Sequence, residues 1–294
     1  MREAEAGAPK AWTDGYWTSA DGLRLYYRDH AGPADRPPIV CLHGLTRNAR
    51  DFAGLAEHYA GQWRIVAPEF RGRGRSAWDP HPENYKPPVY AADILHLLAE
   101  LQVPQAIVIG TSLGGLVAML IAALAPQRLA AVALVDVGPK LDPAGIARIG
   151  EYVGKPVAFD SWDAAASALA RTHQAMHPAY RAADWEDYAR RICRERDGAV
   201  VFDYDMAIAE NFRAAQSAPA VDAWPYFRAL AGVALLILRG EFSDLLSAAT
   251  AQAMVDAHPD AELVTVPGVG HPPDLIEPAA VAALDRLLRR VLEA

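Results

Sequence analysis

The sequence places one serine in a setting that favours nucleophilic chemistry. Ser112 is the central residue of a G-x-S-x-G pattern at residues 110–114, between the apolar run 106–110 and the helical run that follows. A sharp strand-to-helix turn holds such a serine in a strained conformation at the end of the strand, and flanking glycines avoid clashes. The N–H groups at the start of the helix favour negative charge. The pattern therefore predicts that Ser112 attacks an electrophilic carbon.

A serine hydroxyl is a weak nucleophile at neutral pH and needs a general base oriented by an acid. Among nine histidines, His271 stands out because it lies in a Gly/Pro-bounded loop directly after the last predicted strand. Asp244 follows another predicted strand, at residues 233–238. Ser112, Asp244 and His271 thus each follow a strand, in the chain order Ser, Asp, His. We predict that these three residues form a catalytic triad.

The elements that must position these residues alternate between apolar strand patterns and helical patterns. Continuous apolar strands separated by helices predict a parallel sheet covered on both faces. The alternation stops between residues 139 and 227, where helical patterns occur without a convincing parallel-sheet strand. We therefore predict an α/β core of residues 1–138 and 228–294, with a helical cap (lid) insertion at residues 139–227.

Composition excludes several other classes of protein. The chain has 294 residues, 52% of them hydrophobic, and a formal net charge of −8, which disfavours a nucleic-acid partner. The N-terminus has no apolar signal-peptide core, and the longest apolar run is too short to cross a bilayer. Two widely spaced cysteines cannot form a disulfide framework. We expect a cytoplasmic protein that has no membrane partner. We expect it to act on a small-molecule substrate and to use no metal. The sequence does not indicate an oligomeric state.

These motifs together resemble the α/β-hydrolase superfamily, in its capped esterase, lactonase and carbon–carbon hydrolase type. The resemblance includes His43-Gly44 after an early strand, the R-G-x-G-x-S turn of residues 71–76 and the Gly-Val-Gly-His run of residues 268–271. It implies an α/β-hydrolase fold, a cofactor-free reaction, and an oxyanion hole built from the backbone N–H groups of Leu45 and Leu113. Leu113 is also expected there because it follows the nucleophile.

The resemblance leaves the identity of the acid open. Asp136 follows the apolar strand run of residues 130–135, where some family members place the acid, and Glu241 is a more distant rival. We prefer Asp244 because its surrounding G-E-x-S-D segment matches the more usual position. One departure is Glu69, which stands where the family usually has an aspartate before the R-G-x-G turn; we interpret this change as structural.

The predicted reaction is hydrolysis of a carboxylic ester or lactone of a small to medium apolar substrate. Carbon–carbon hydrolysis of ring-fission diketones by the same triad, or a non-catalytic ligand-binding role, are the alternatives. Haloalkane and epoxide hydrolases are disfavoured because they carry aspartate at the position of Ser112. Aromatic side chains are frequent in the insertion, and the candidate substrate-binding residues are His43, Trp162, Trp185, Tyr188 and Trp224.

Overall fold

A twisted eight-stranded sheet organises the computed structural model, which describes residues 11–217 and 221–293. In chain order its strands are β1 (Thr13–Thr18), β2 (Arg24–His30), β3 (Ile39–Leu42), β4 (Ile65–Glu69), β5 (Ala106–Thr111), β6 (Leu129–Val135), β10 (Ala234–Gly240) and β11 (Ala261–Val266). Their spatial order is β1-β2-β4-β3-β5-β6-β10-β11. The pairs β1–β2 and β2–β4 are antiparallel, and all the others are parallel. The central strand β5 is buried along its whole length, as its Ile and Val content predicts.

Helices cover both faces of this sheet. The helices outside the insertion are α1 (Ala53–His58), α2 (Pro87–Glu100), α3 (Leu113–Leu124), α9 (Ala248–Asp256) and α10 (Pro278–Glu293). One face packs against α1 and α10, and the other against α2, α3 and α9. Since α3 is apolar around most of its circumference, it lies between the sheet and its neighbouring helices. This is the mostly parallel α/β architecture that the sequence predicts.

The carboxyl ends of the parallel strands meet at one edge of the sheet. There β3 leads to His43, β5 to Ser112, β6 to Asp136, and β11 to the loop that carries His271. Ligands bind at this edge in open α/β sheets. The register pairs Thr111 with Val135, so the residues that follow β5 and β6 emerge side by side.

We term residues 139–227, which lie between β6 and β10, the insertion; most of this segment lies over the same edge of the sheet. Its helices are α4 (Pro143–Tyr152), α5 (Trp162–His173), α6 (Ala182–Ile192), α7 (Ile208–Ser217) and α8 (Trp224–Arg228). Ser161 caps α5 by accepting a hydrogen bond from the N–H of Ala164 at 3.1 Å. The helices α5 and α6 share an apolar cluster of their own.

The insertion also contains a small antiparallel sheet that its helical patterns do not predict. Its strands are β7 (Ala158–Phe159), β8 (Cys193–Arg196) and β9 (Ala199–Phe202), in the order β7-β9-β8. The sequence pattern of residues 185–196 predicts a helix, but α6 ends at Ile192 and β8 begins at Cys193. Because the turn residues Asp197 and Gly198 both have positive φ, the chain reverses there and β8 pairs with β9.

Among the helices that the structure describes, none is both long and apolar enough to cross a membrane.

Candidate active site

Ser112 lies on the turn between β5 and α3 and has a strained backbone, with φ 52° and ψ −117°. Such strain persists only where the surrounding structure holds it. A Cβ atom at Gly114 would lie 2.1 Å from the carbonyl oxygen of Leu42, and one at Gly110 would lie 2.5 Å from that of Gly114. Glycine is therefore required on both sides of Ser112, as the G-x-S-x-G pattern predicts.

His271 is placed to act as the base for Ser112. Its Nε2 lies 3.1 Å from Ser112 Oγ, so the hydroxyl can donate its proton to this nitrogen. The opposite ring nitrogen, Nδ1, lies 2.8 Å from Asp136 Oδ2. A proton on Nδ1 that is donated to the carboxylate leaves Nε2 free as an acceptor, which is the tautomer that base catalysis requires.

Asp136 is held rigidly for this role. It is fully buried and follows β6 with a φ of 54°. Its Oδ1 accepts a hydrogen bond from the N–H of Gly240 at 2.9 Å, and its Oδ2 accepts one from Ser243 Oγ at 2.6 Å. These donors stabilise a buried carboxylate and fix its direction toward the imidazole.

The structure corrects the prediction that Asp244 orients the histidine. The carboxylate of Asp244 instead accepts hydrogen bonds from Arg148 of α4, from Nε at 2.5 Å and from Nη2 at 2.8 Å. Burial alone would raise the pKa of Asp244, but the hydrogen bonds and charge of Arg148 hold that pKa below its ordinary value. Glu241, the more distant alternative, accepts a hydrogen bond from the N–H of Gly268. The alternative that the sequence ranked second, Asp136, therefore occupies the position.

His43 supports the loop after β3; although it is predicted to bind substrate, it is not among the residues that line the cavity next to Ser112. It is fully buried, its Nδ1 donates to the carbonyl oxygen of Gly44 at 2.7 Å, and its Nε2 accepts from the N–H of Phe70 at 3.1 Å. Burial lowers the pKa of His43 to about 3, so the ring stays neutral. The bond to Gly44 orients the peptide whose N–H belongs to Leu45.

A second buried side chain holds the peptide group that contains the carbonyl oxygen of Leu45. Arg73 Nε donates to the carbonyl oxygen of Leu45 at 2.9 Å, and Arg73 Nη1 donates to Tyr90 Oη at 2.8 Å. Both peptide planes around Leu45 are thus held by interior groups. Leu113 is the first residue of α3, and N–H groups in a first helical turn have no partner within the helix. Leu45 lines the same cavity as Ser112, and Leu113 directly follows Ser112 in the chain.

Glu69, which stands where the family usually has aspartate, has a structural role. It is buried, and its carboxylate accepts from the N–H groups of Ala49 at 3.2 Å and Arg75 at 2.5 Å. Burial raises the pKa of Glu69 to about 7. A Cβ atom at Gly74 would lie 2.1 Å from Glu69 Oε2, so this larger acid fits only because the turn has glycine there. Glu69 braces the R-G-x-G turn and does not contact the triad.

A cavity of about 350 Å³ lies between the triad and the insertion. Ser112, His271 and Leu45 form part of its wall, and the insertion supplies an aromatic and apolar part: Tyr152, Phe159, Leu169, Tyr188 and Phe202. Polar groups reach the same cavity from Arg47, Arg148 and His173. A largely apolar cavity with a few fixed polar groups suits a small organic ligand.

Only one of the predicted aromatic side chains, Tyr188, lines this cavity. Trp185 is buried in the apolar cluster between α5 and α6, and Trp162 packs beside that cluster while its Nε1 donates to Glu195 at 2.7 Å. Trp224 packs edge-on against Phe227, over the sheet. Trp185 and Trp162 therefore pack the insertion's own core, and Trp224 packs against the core of the sheet.

The loop that carries His271 is also bonded to the insertion. The N–H of Gly270 donates to the carbonyl oxygen of Met176 at 2.7 Å. Three residues after the histidine, Asp274 accepts from Arg191 Nη1 at 2.9 Å and from the hydroxyl of Tyr180. Burial would raise the pKa of Asp274, but the charge of Arg191 holds it below the ordinary value. The base is therefore positioned by the core and the insertion together.

Comparison with known proteins agrees with this geometry. A family model described as the alpha/beta hydrolase fold matches residues 37–277. The chain belongs to the α/β-hydrolase fold family, and its relatives include proteins named as hydrolases.

Three relatives illustrate the range of the family. The chain is 36% identical over 269 residues to a 3-hydroxybutyrate-oligomer hydrolase of Cupriavidus necator, covering 88% of this chain and 90% of that protein. It is 29% identical over 240 residues to a 2-(acetamidomethylene)succinate hydrolase of Mesorhizobium japonicum, covering 80% and 81%. A solved α/β hydrolase of Novosphingobium aromaticivorans superposes with a TM-score of 0.92 at 49% identity, covering 96% of this chain and 100% of that one.

Proposed function

We propose that this protein is a serine hydrolase that cleaves a carboxylic ester through an acyl-enzyme on Ser112. The observation that carries the proposal is the unbroken hydrogen-bond chain from Ser112 Oγ through His271 to Asp136. This chain of hydrogen bonds couples a nucleophile, a base and an orienting acid beside a cavity. A purely ligand-binding member of the fold would not require such an arrangement.

The reaction follows from the positions of these groups. Ser112 Oγ attacks the ester carbonyl carbon while His271 Nε2 takes its proton and Asp136 stabilises the resulting cation. The N–H groups of Leu45 and Leu113 stabilise the oxyanion, and each such donor is worth about 10²–10³-fold in kcat. His271 then protonates the leaving alcohol, and a water activated by the same ring releases the acid.

The substrate class that we propose is a short ester of hydroxy acids. The relative named 3-hydroxybutyrate-oligomer hydrolase shares 36% identity over most of both chains. A cavity of about 350 Å³ lies at the small end of the range for ligand sites, which suits one or two short acyl units. Its aromatic and apolar wall suits the methyl and methylene groups of such a chain.

We further propose that the insertion acts as a cap, since it forms the roof of the cavity above Ser112. We also propose a cytoplasmic location and a small-molecule substrate. The free thiols of Cys41 and Cys193, both buried, support a reducing compartment.

A substrate panel with an active-site label tests the proposal. The panel comprises p-nitrophenyl esters, a linear dimer of 3-hydroxybutyrate, a lactone and a ring-fission diketone. We expect hydrolysis of the esters, labelling of wild type by a fluorophosphonate probe at one serine per chain, and loss of both in Ser112→Ala, with kcat lower by about 10⁶-fold.

Ser167→Ala is the matched control, because Ser167 is exposed on α5 and outside the cavity. It should be labelled and active like wild type. Turnover of the diketone alone would favour carbon–carbon hydrolysis, and ester turnover that survives in Ser112→Ala would refute the assignment.

A further inference from the structure

The cavity next to Ser112 presents more positive than negative side chains to a ligand. Arg47, Arg148 and Lys155 line it, whereas the carboxylates that pair with the two arginines, Asp51 and Asp244, do not. The counter-ions therefore lie behind the guanidinium groups, away from the space that a ligand would occupy. Such pairing pre-orients a guanidinium for a further anion, because its remaining N–H groups keep a fixed direction.

Arg148 is held in this way. Its Nε and Nη2 donate to Asp244, while Nη1 makes no hydrogen bond or ion pair to any residue that the structure describes. Lys155 follows α4 and is exposed at the cavity wall, and no ion pair joins it to a carboxylate within residues 11–217 and 221–293. Glu151 is the single acidic side chain in the wall. Two donors from one segment thus face the cavity with unused capacity.

The neighbouring histidine shows that these cations act on the cavity interior. Burial, followed by the positive charges of Arg47 and Arg148, lowers the pKa of His173 to about 4. His173 therefore stays neutral and adds no competing charge, although it lines the same wall. Arg47 is engaged more fully than Arg148, since its Nη1 also donates to Tyr188 Oη at 2.6 Å.

We propose that Arg148 and Lys155 form a subsite for a carboxylate carried by the substrate, so that the preferred ester is one whose alcohol part ends in a free carboxyl group. This inference rests on the proposed ester hydrolysis at Ser112. In a linear oligomer of a hydroxy acid, the alcohol side of every ester bond carries the chain's single free carboxylate. The leaving group, a hydroxy acid, would then be anchored at its charged end while His271 protonates its oxygen.

A matched substrate pair isolates this contribution. The linear 3-hydroxybutyrate dimer and the same dimer with its carboxylate converted to a primary amide share one scissile ester and differ in charge. The readout is the ratio of kcat/KM for the acid to kcat/KM for the amide, which a general loss of folded enzyme does not change. We expect a ratio well above one in wild type.

Two variants should lower that ratio. Lys155→Gln should lower it about threefold, because partly exposed ion pairs are weak. The double variant Arg148→Gln with Asp244→Asn removes the guanidinium without leaving a carboxylate unpaired, and should lower the ratio roughly tenfold. Arg171→Gln is the control, since Arg171 is an exposed cation on α5 outside the cavity, and it should keep the wild-type ratio.

The outcomes separate the two proposals. If wild type hydrolyses both dimers equally well, or if the variants keep its ratio, the carboxylate subsite is refuted while ester hydrolysis stands. If neither dimer is hydrolysed, calorimetric binding to Ser112→Ala decides: tighter binding of the acid than of the amide, lost in the Arg148 and Asp244 double variant, supports the subsite. Equal binding overturns it.

Discussion

Replacing Asp136 by asparagine tests the assignment of the triad acid most directly. The substitution keeps the size of the side chain and leaves an oxygen for the N–H of Gly240. The NH₂ of the new amide then occupies the place of Oδ2, the oxygen that accepts hydrogen bonds from both Ser243 and His271. An NH₂ group cannot accept from Nδ1–H, so the imidazole is driven to carry its proton on Nε2.

The magnitude follows from that change of tautomer. A proton on Nε2 faces Ser112 Oγ at 3.1 Å, so the ring can no longer accept the serine proton. The same tautomer change in a serine protease lowers kcat by about 10⁴-fold, or about 5 kcal/mol in the activation barrier. We therefore expect Asp136→Asn to lose kcat by this factor on an activated ester, with KM changed much less.

Asp244→Asn is the matched comparison, because the sequence favoured this residue for the same role. Its carboxylate binds Arg148 and not the imidazole, so kcat on a neutral ester should fall by no more than a few-fold. Initial rates at saturating p-nitrophenyl butyrate, with thermal unfolding as a check on folding, measure both. A large loss in Asp244→Asn together with near-normal kcat in Asp136→Asn would refute the assignment.

Two further predictions concern stability. In Gly114→Ala the new Cβ meets the carbonyl oxygen of Leu42, so we expect the free energy of unfolding, measured with denaturant, to fall by about 2–3 kcal/mol. The control Gly232→Ala, where nothing lies within 4 Å of the new Cβ, should change this free energy little. Equal losses in the two variants would contradict the packing argument. Burial lowers the pKa of His177 to about 4 from 6.5, so its stabilising contribution is complete above pH 6.5 and is lost as the pH falls toward 4. Between pH 7 and 5 this loss in the free energy of unfolding is about 2 kcal/mol. His177→Gln should therefore lose correspondingly less stability over this pH range than wild type or the control His81→Gln, whose histidine is exposed. Identical losses in all three proteins would show that burial of His177 does not set the pH dependence.

The parts of the site that depend on local geometry could be predicted from the sequence. The sharp turn at Ser112 is specified by two glycines, a preceding strand and a following helix, all within a few residues. The loop of His271 is similarly marked by its glycines and prolines. The fold class followed from the alternation of apolar strands and helices, because that pattern has few packing solutions.

The acid could not be chosen in this way. Asp136 and Asp244 follow β6 and β10, which are neighbours in the sheet, so both arrive at the same edge. The choice depends on which carboxylate meets the imidazole and which meets Arg148, a residue of the insertion about a hundred positions from Asp244. Contacts over such separations leave no periodic signal in the sequence.

The pocket prediction failed for a related reason. Aromatic content indicates that a segment buries apolar area, but it does not show whether a side chain faces a cavity or a helix neighbour. Trp185 and Trp162 belong to the packing of α5 on α6, and of the predicted aromatic side chains only Tyr188 lines the cavity. Helical periodicity also extended across Cys193, because residues 193–196 pair with β9 only after the chain reverses.

The bonds between the insertion and the histidine loop bear on any attempt to redesign specificity by grafting a cap from another hydrolase. The carbonyl of Met176 and the side chains of Tyr180 and Arg191 all hold the stretch from Gly270 to Asp274. A chimera that replaces all of residues 139–227 exchanges the walls of the cavity and at the same time removes the hydrogen bonds that hold the loop of His271. Grafts that retain these three attachment points alter substrate choice separately from proton transfer.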